Sequence, residues 1–556
     1  MSKRNPISVF STHEVLNQPP PLENYNVYLQ DRALCEAVQR EGAAWTQDIL
    51  SSFGEIVGSD RVIHLADLAN RHPPELHSFD RYGQRIDEVE YHPAYHELMS
   101  LAMSHQVHSI AWNTNNRGGG HVAHAALLFL LGQAEPGVCC PVAMTNASVP
   151  TLRHHPEVAS TWEPLVLSNE YDERFVPVNE KRGATIGMAM TEKQGGSDVR
   201  ANATFAHPLN TDDVVGAYTL RGHKWFCSAP MSDAFLTLAY STNGLSCFLV
   251  PRWRPDGSRN HIFIQRLKDK LGNRSNASGE IEYHDAWARM VGEEGHGVRT
   301  IIEMVHHTRL DAAVAAAALM RHALTHAIHH AAHRSAFQKL LIQQPLMRNV
   351  LADLALECEA ATALVMRVAR SFDESIRDET ARRFNRIATA VTKYWINKRT
   401  PGVVCEALEC HGGLGYVEES VMPRLYREAP LNSIWEGSGN VICLDVLRTI
   451  EKQPDSLDTL LGELESARGG DRRLDHAIDR LKQLLNDRTE REIQGRYLVE
   501  QIALTLQGAL LVKHSTAAVA DAFCASRLGH ASGRVYGTLP LGLDLDAIIA
   551  HARPAV

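Results

Sequence analysis

Two glycine-bearing stretches hold the side chains best suited to chemistry. Residues 190–200 read Met-Thr-Glu-Lys-Gln-Gly-Gly-Ser-Asp-Val-Arg. Gly195 and Gly196 remove two Cβ atoms in succession, so the backbone can turn sharply and approach a flat ligand. Thr191 and Ser197 offer hydroxyls on either side, and exposed amides in such a loop form a concavity for electron-rich atoms. By residue type alone the stretch reads as an ordinary polar turn. Residues 432–440 read Asn-Ser-Ile-Trp-Glu-Gly-Ser-Gly-Asn, which sets one carboxylate, Glu436, on a glycine-rich loop. Such a group is a general base where its site is dry enough to raise its pKa, and a solvated acid otherwise. A rival cluster is His322, His326, His329, His330 and His333, four of which share one helix face at i, i+4, i+7 and i+11. Cys and Glu at matching spacing are missing, so the face reads as solvated or interfacial and no metal site is expected.

The elements that must position these residues follow from periodicity. Up to about Arg182 the pattern is mostly helical, as in Arg32 to Ile49 and the apolar run Val122 to Leu131, broken at Pro19-Pro20-Pro21, Pro73-Pro74 and Gly118-Gly119-Gly120. The triple glycine follows no strand, so it reads as a polar tip rather than a dinucleotide fingerprint. From Gly183 to Gly292 the period is two, with strands expected at 218–221, 234–240, 246–250 and 279–283. Long helices resume at Val298 to Met320, Leu346 to Ser371, Arg382 to Lys398 and Gly402 to Cys410, which suggests a four-helix bundle. The expected division is 1–182 helical, 183–292 β, 293–445 bundle and 446–556 a further helical domain.

The 556 residues exceed one core and carry a formal charge of -9, which argues against a generally nucleic-acid-loving surface but not against a local basic patch. Ten cysteines without Cys-x-x-Cys spacing read as reduced thiols. The first residues lack the apolar core of a signal peptide and no run reaches membrane-spanning length, so a cytoplasmic protein is expected.

Five ordered motifs resemble the acyl-CoA dehydrogenase family: the 190–200 loop, Gly222-His-Lys-Trp-Phe-Cys-Ser-Ala-Pro230, the 266–278 segment, Arg334-Ser-Ala-Phe337 with Gln344, and the run from His411-Gly-Gly-Leu-Gly-Tyr416 through Pro423-Arg-Leu-Tyr-Arg-Glu428 to Asn440. The spelling Thr-Glu-Lys-Gln-Gly-Gly-Ser-Asp-Val is similar to the branch of that family serving the adaptive response to DNA alkylation. The resemblance implies a mostly α fold with a central small β domain, plus an extra C-terminal helical domain. It implies FAD held by Met188, Ala189, Met190, Thr191, Gly195, Gly196 and Ser197, and by Phe226, Cys227 and Ser228, with Phe226 packing on the isoalloxazine and Ser228 bonding its N5. Arg334 would reach FAD across a subunit interface of a homotetramer, Phe337 and Gln344 would also bind it, and Ile434, Trp435, Gly437, Ser438, Gly439 and Asn440 would complete the site. Gln338 and Leu340 stand where the family usually has Gly and Pro, so the turn there must differ.

Dehydrogenating an acyl-CoA thioester at Cα–Cβ needs a base for the α-proton and a hydride acceptor. Glu436 falls on the family's catalytic carboxylate. Some members place the base just before an arginine on a bundle helix, where this chain has Thr308 before Arg309. The adaptive-response branch further implies double-stranded DNA as a partner, with Arg448, Arg480, Arg496 and Arg527 as candidate phosphate contacts among other basic residues such as Arg472, Arg473, Arg488 and Arg491. That segment is near neutral overall, so a solvated helical surface is the competing reading.

Overall fold

The period-two stretches close on themselves. Ala234–Ser241 pairs antiparallel with Gly244–Pro251, which pairs with Ser278–Val291, then with Ala217–Ser228, then with Phe205–Pro208, and this last strand returns to the first by a parallel bridge at Phe205 and Tyr240. Ile186–Ala189 lies parallel to Ala234–Ser241, and Ile262–Leu267 flanks Ser278–Val291. The computed structural model describes residues 6–114, 117–209, 216–487, 489–529 and 532–555; Arg488 lies outside them. The molecule is mostly α with this seven-stranded β unit at its centre.

Three long helices, Gly297–His333, Pro345–Ser375 and Glu379–Glu409, form the bundle, with Gly439–Lys452 as a shorter fourth. The first is alanine-rich on its buried faces, which lets its neighbours approach closely. Gly120–Ala134 is mostly apolar and wholly buried, as a helix inside a core should be, with its His124 paired to Asp311. The C-terminal helices do not build a separate core. Gly495–His514 and Leu545–Ala552 pack on Pro345–Ser375, and their apolar residues join the bundle's cluster. Among the described residues no helix is long and apolar enough to cross a membrane.

Four local readings need correction. A hairpin, Glu75–Phe79 with Arg85–Glu90, interrupts the helical N-terminal region. Its turn is made by Asp80, whose carboxylate accepts from the N–H groups of Tyr82 and Gln84. The Arg32 to Ile49 pattern splits into Arg32–Arg40 and Gln47–Val57 around Gly42, at φ +96°. The triple glycine is no polar tip: Gly119 and Gly120 are buried, and a Cβ on Gly119 would lie 2.3 Å from the Gly42 carbonyl oxygen. Lastly, Glu379–Glu409 runs unbroken through Pro401.

Candidate active site

A buried ion pair staples the first two motifs together. Glu192, inside the 190–200 loop, accepts from Lys224 Nζ at 2.8 Å, from Thr204 Oγ1 at 2.6 Å and from the Ala203 N–H at 2.6 Å. Burial pushes the Glu192 carboxyl up, but Lys224 and these donors more than reverse it and hold it at about 2. Glu192 and Lys224, which the motifs spell out without a role, thus fix the loop. Beside them the Trp225 N–H donates to the Thr191 carbonyl, and Gly196 packs so tightly that a Cβ would sit 2.3 Å from Thr191 Oγ1. Gly195, at φ +141°, has nothing within 4 Å of its missing Cβ, so its face of the loop is open. Met188 and Met190 are half-buried, Ala189 is fully buried, and Ser197 is exposed.

A register shift in the strand pairing between Lys224 and Cys227 turns both Trp225 and Phe226 outward. Lys224 and Cys227 point into the barrel, so Cys227 can offer only its backbone to a ligand, while Phe226 is 51% exposed. Ser228 shares the Phe226 side. Its oxygen accepts from Asn276 Nδ2 at 3.3 Å and from the Cys140 thiol at 3.4 Å. In the 266–278 segment exposed Arg266 shares Glu280 with Lys268, Arg274 is exposed, and Lys270 turns inward, its Nζ donating to the Asn276 carbonyl and Ser278 Oγ.

Glu436 sits at φ +57° and Gly437 at φ +98°, in a loop whose three successive carbonyls are held by cations. Lys393 Nζ donates to the Trp435 carbonyl at 2.8 Å and to that of Gly437, and Arg309 Nε donates to that of Glu436 at 3.3 Å. Arg309 is braced by Asp445, which Arg386 also grips. Thr308 Oγ1 donates to Glu436 Oε2 at 2.7 Å. The two places where the family's base can stand therefore meet in space, and a hydroxyl occupies the second. Burial pushes the Glu436 carboxyl above its usual range, with Thr308, Lys393 and Arg309 pulling it back. Burial likewise lowers Lys393 to about 7. Trp435 is fixed by its Nε1–H to Asn432 Oδ1, and Ile434 is 64% exposed. Ser438 and buried Gly439 open the Gly439–Lys452 helix, with a Cβ on Gly439 only 2.8 Å from Lys398 Cε.

Arg334, Phe337 and Gln344 gather at a small hairpin, Ser335–Ala336 with Lys339–Leu340. Phe337 and Gln338 take the left-handed conformation there, which is how the chain turns without the family's Gly and Pro. Arg334 donates to the Asn17 carbonyl, Gln344 to the Ala336 carbonyl, and Phe337 stands 93% exposed. The histidine face is not solvated: His322 and His326 face each other at 3.0 Å, half-buried, and burial lowers both rings. Among the described residues no group of three or more His, Cys, Asp or Glu could hold a metal.

The basic candidates separate. Arg527 is no surface residue: its guanidinium is buried against Asp353 and Glu357, so it is spent within the protein. Arg480 is exposed but donates to the Leu528 carbonyl, and Arg473 pairs with Asp471 and Asp521. Arg448 is exposed, and exposed Arg496 donates to Asn440 Oδ1 at 2.8 Å, which joins a residue expected at the flavin to one expected at DNA.

The residues fit a flavin. Phe226 presents a flat face, Gly195 an open one, and Ser228 a hydroxyl whose acceptor positions are filled while its proton is unspent. Comparison with known proteins agrees. Residues 17–173 match the model of the adaptive response protein AidB N-terminal domain, 187–286 the acyl-CoA dehydrogenase middle domain, and 295–451 the acyl-CoA dehydrogenase C-terminal domain. AidB of Escherichia coli is 48% identical over 516 residues, covering 93% of this chain and 94% of its own. Acyl-CoA dehydrogenase family member 11 of Caenorhabditis elegans is 31% identical over 501 residues, 84% of this chain and 80% of its own. A crystal structure of that worm dehydrogenase superposes with a TM-score of 0.84 at 28% identity, covering 94% of this chain and 95% of that one. Butyryl-CoA dehydrogenase of Megasphaera elsdenii shares the fold at a TM-score of 0.58 and 20% identity, over 76% of this chain and 98% of its own.

Proposed function

The chain belongs to the AidB branch of the acyl-CoA dehydrogenase family, oxidoreductases acting on CH–CH bonds, and on that premise we propose that it is a FAD-binding protein with weak dehydrogenase activity toward short or branched acyl-CoA thioesters of the isovaleryl type. The carrying observation is Glu436, a carboxylate held by Lys393 and Arg309 through its loop and by Thr308 at its oxygen. Its raised pKa suits a base for an α-proton. Bound FAD supplies the hydride acceptor. The Thr191–Ser197 loop and Phe226 would hold the cofactor, Ser228 would donate to it, and Glu436 would take the α-proton. Half-buried Trp435 beside Glu436 narrows the space for a thioester and favours small acyl groups. The worm relative was crystallised with an eleven-carbon acyl-CoA, so longer chains belong in the test.

The test is an anaerobic titration of the purified protein with isovaleryl-CoA and straight-chain thioesters, following the flavin band. Bleaching by isovaleryl-CoA is expected. A yellow protein that ignores every thioester would refute the dehydrogenase reading, and a colourless one would refute FAD.

The second reading, binding of double-stranded DNA and its protection from alkylation, is favoured by the AidB N-terminal match together with the exposure of Arg448 and Arg496. A dedicated dehydrogenase without a DNA role is the alternative, and duplex binding at low salt separates the two. The homotetramer implied by the family is supported by Phe337, whose ring stands almost wholly exposed next to Arg334.

A further inference from the structure

Behind Ser228 runs a chain of amides that ends on a buried carboxylate. Asn276 Nδ2 reaches Ser228 Oγ and also, at 3.1 Å, Asn273 Oδ1. Asn273 in turn gives its side-chain Nδ2–H to Glu428 Oε1 at 2.9 Å and its backbone N–H to Glu428 Oε2 at 2.5 Å. Asn273, Asn276 and Glu428 are all buried, so no solvent competes for these bonds.

The direction of each bond follows from the end that has no choice. Burial raises the Glu428 carboxyl, while Asn273 and Lys270 pull it back. Its Oε2 takes the Asn273 backbone N–H, and as a carboxylate it only accepts, so Asn273 turns its NH2 toward Oε1. Its Oδ1 then faces Asn276, which must answer with its own NH2. The second proton of that NH2 points at Ser228 Oγ. Amide orientations are fixed by such networks rather than seen directly, and here one end decides them all. The Cys140 thiol fills the remaining acceptor position of Ser228. Burial raises that thiol to about 11, so it keeps the proton it donates. The opposite sense, with Asn276 Oδ1 toward Ser228, would draw the hydroxyl proton back into the protein.

We infer that Asn276, anchored through Asn273 on Glu428, is a positioning residue that keeps the Ser228 hydroxyl proton free to donate to the bound flavin. The inference rests on the FAD-binding reading above. Glu428 thereby has a role at a distance: it touches no ligand and sets the polarity of the group that does. Lys270, on the Asn276 carbonyl, holds the same residue from its backbone side.

The experiment uses flavin-loaded full-length protein and reads the visible flavin spectrum and the midpoint potential. Ser228→Ala sets the reference shift. Asn276→Leu, close in shape and without a donor, is expected to move both readouts in the same direction as Ser228→Ala. In a Ser228→Ala background Asn276→Leu should add nothing, because the hydroxyl it acts through is gone. Wild-type readouts for Asn276→Leu, or shifts that simply sum in the double variant, would overturn the inference. Should Asn276→Leu not fold, Glu428→Gln takes its place with the same two comparisons: a shift that vanishes without the Ser228 hydroxyl supports the chain, and an unmoved or additive one overturns it. A wild-type protein without flavin would refute the FAD reading itself, whereas bound flavin with an indifferent Asn276→Leu refutes only the amide chain.

Discussion

Glu436 holds a left-handed backbone conformation, which costs a residue with a Cβ about 1–3 kcal/mol. Two buried cations offset that cost by taking the three carbonyls of residues 435–437, and the loop is thus stiff before any ligand arrives. Stiffness matters because a base misplaced by about 1 Å can lose a hundredfold in rate. Glu436→Gln should therefore abolish thioester-driven flavin reduction while FAD stays bound; reduction at the wild-type rate would remove Glu436 as the base. Thr308 gives a finer test. Its hydrogen bond stabilises the charged carboxylate and opposes the rise caused by burial. A base works only when deprotonated, so the rate of flavin reduction should climb with pH through the Glu436 titration. Removing the donor raises that pKa further, so Thr308→Val should move the ascending limb to higher pH. A limb that stays in place, or moves down, would mean the hydroxyl does not tune the base.

At the scale of elements, the C-terminal helices are fastened to the bundle by a buried network. Arg527 reaches Asp353 and Glu357 on Pro345–Ser375, and Arg399 on Glu379–Glu409 grips Glu357 from the other side. Burial alone would raise Glu357; Arg399 and Arg527 reverse that and hold it at about 2. A carboxylate depressed on folding contributes stability above its unfolded pKa and loses it as pH falls through the folded value. The docking of these helices should thus weaken as pH drops from about 4.3, the ordinary glutamate value, toward 2. Arg527→Met strands buried Asp353 and leaves Glu357 to Arg399 alone, and should cost about 3–5 kcal/mol in thermal or denaturant unfolding. A cost under about 1 kcal/mol would show that the network is not what holds the segment. This network was illegible in sequence because Asp353 and Arg527 lie 174 residues apart. Strands were legible where alternation is clean, as in Ala234–Ser241, and bundle helices where apolar runs are long. The 75–90 hairpin was missed because its alternation spans only a few residues on each side of Asp80-Arg-Tyr-Gly. The motifs single out Glu436, Ser228, Thr308 and the segment that holds Asn276, but not which of them meet; Lys393 and Cys140 lie on helices with no local signature.

For the molecule as a whole, charge decides how a nucleic acid could be met. A net of -9 repels a duplex at long range, so any binding must come from a local patch and must weaken steeply with salt. Four basic side chains of the C-terminal segment are paired with acids: Arg468 with Glu465 and Asp479, Arg473 with Asp471 and Asp521, Lys482 with Glu465, and Arg527 within the core. The exposed stripe of Gly439–Lys452 differs. Asn440, Leu444 and Arg448 follow one another at intervals of four on its solvent side, and Arg496 sits on Asn440. The two guanidinium groups thus mark a span of roughly 12 Å, eight residues of helical rise. The same helix starts at the Glu436 loop, so a duplex lying along the stripe would pass beside the active site. Arg448→Ala should weaken duplex binding equally for unrelated sequences and reduce the slope of log affinity against log salt by about 0.9, the loss of one phosphate contact. Arg496→Ala should do the same, and the pair should add. Arg527→Met, judged on protein still folded, should leave that slope alone. Unchanged affinity of Arg448→Ala at low salt would take this helix out of the DNA reading and leave the chain as a dehydrogenase without it.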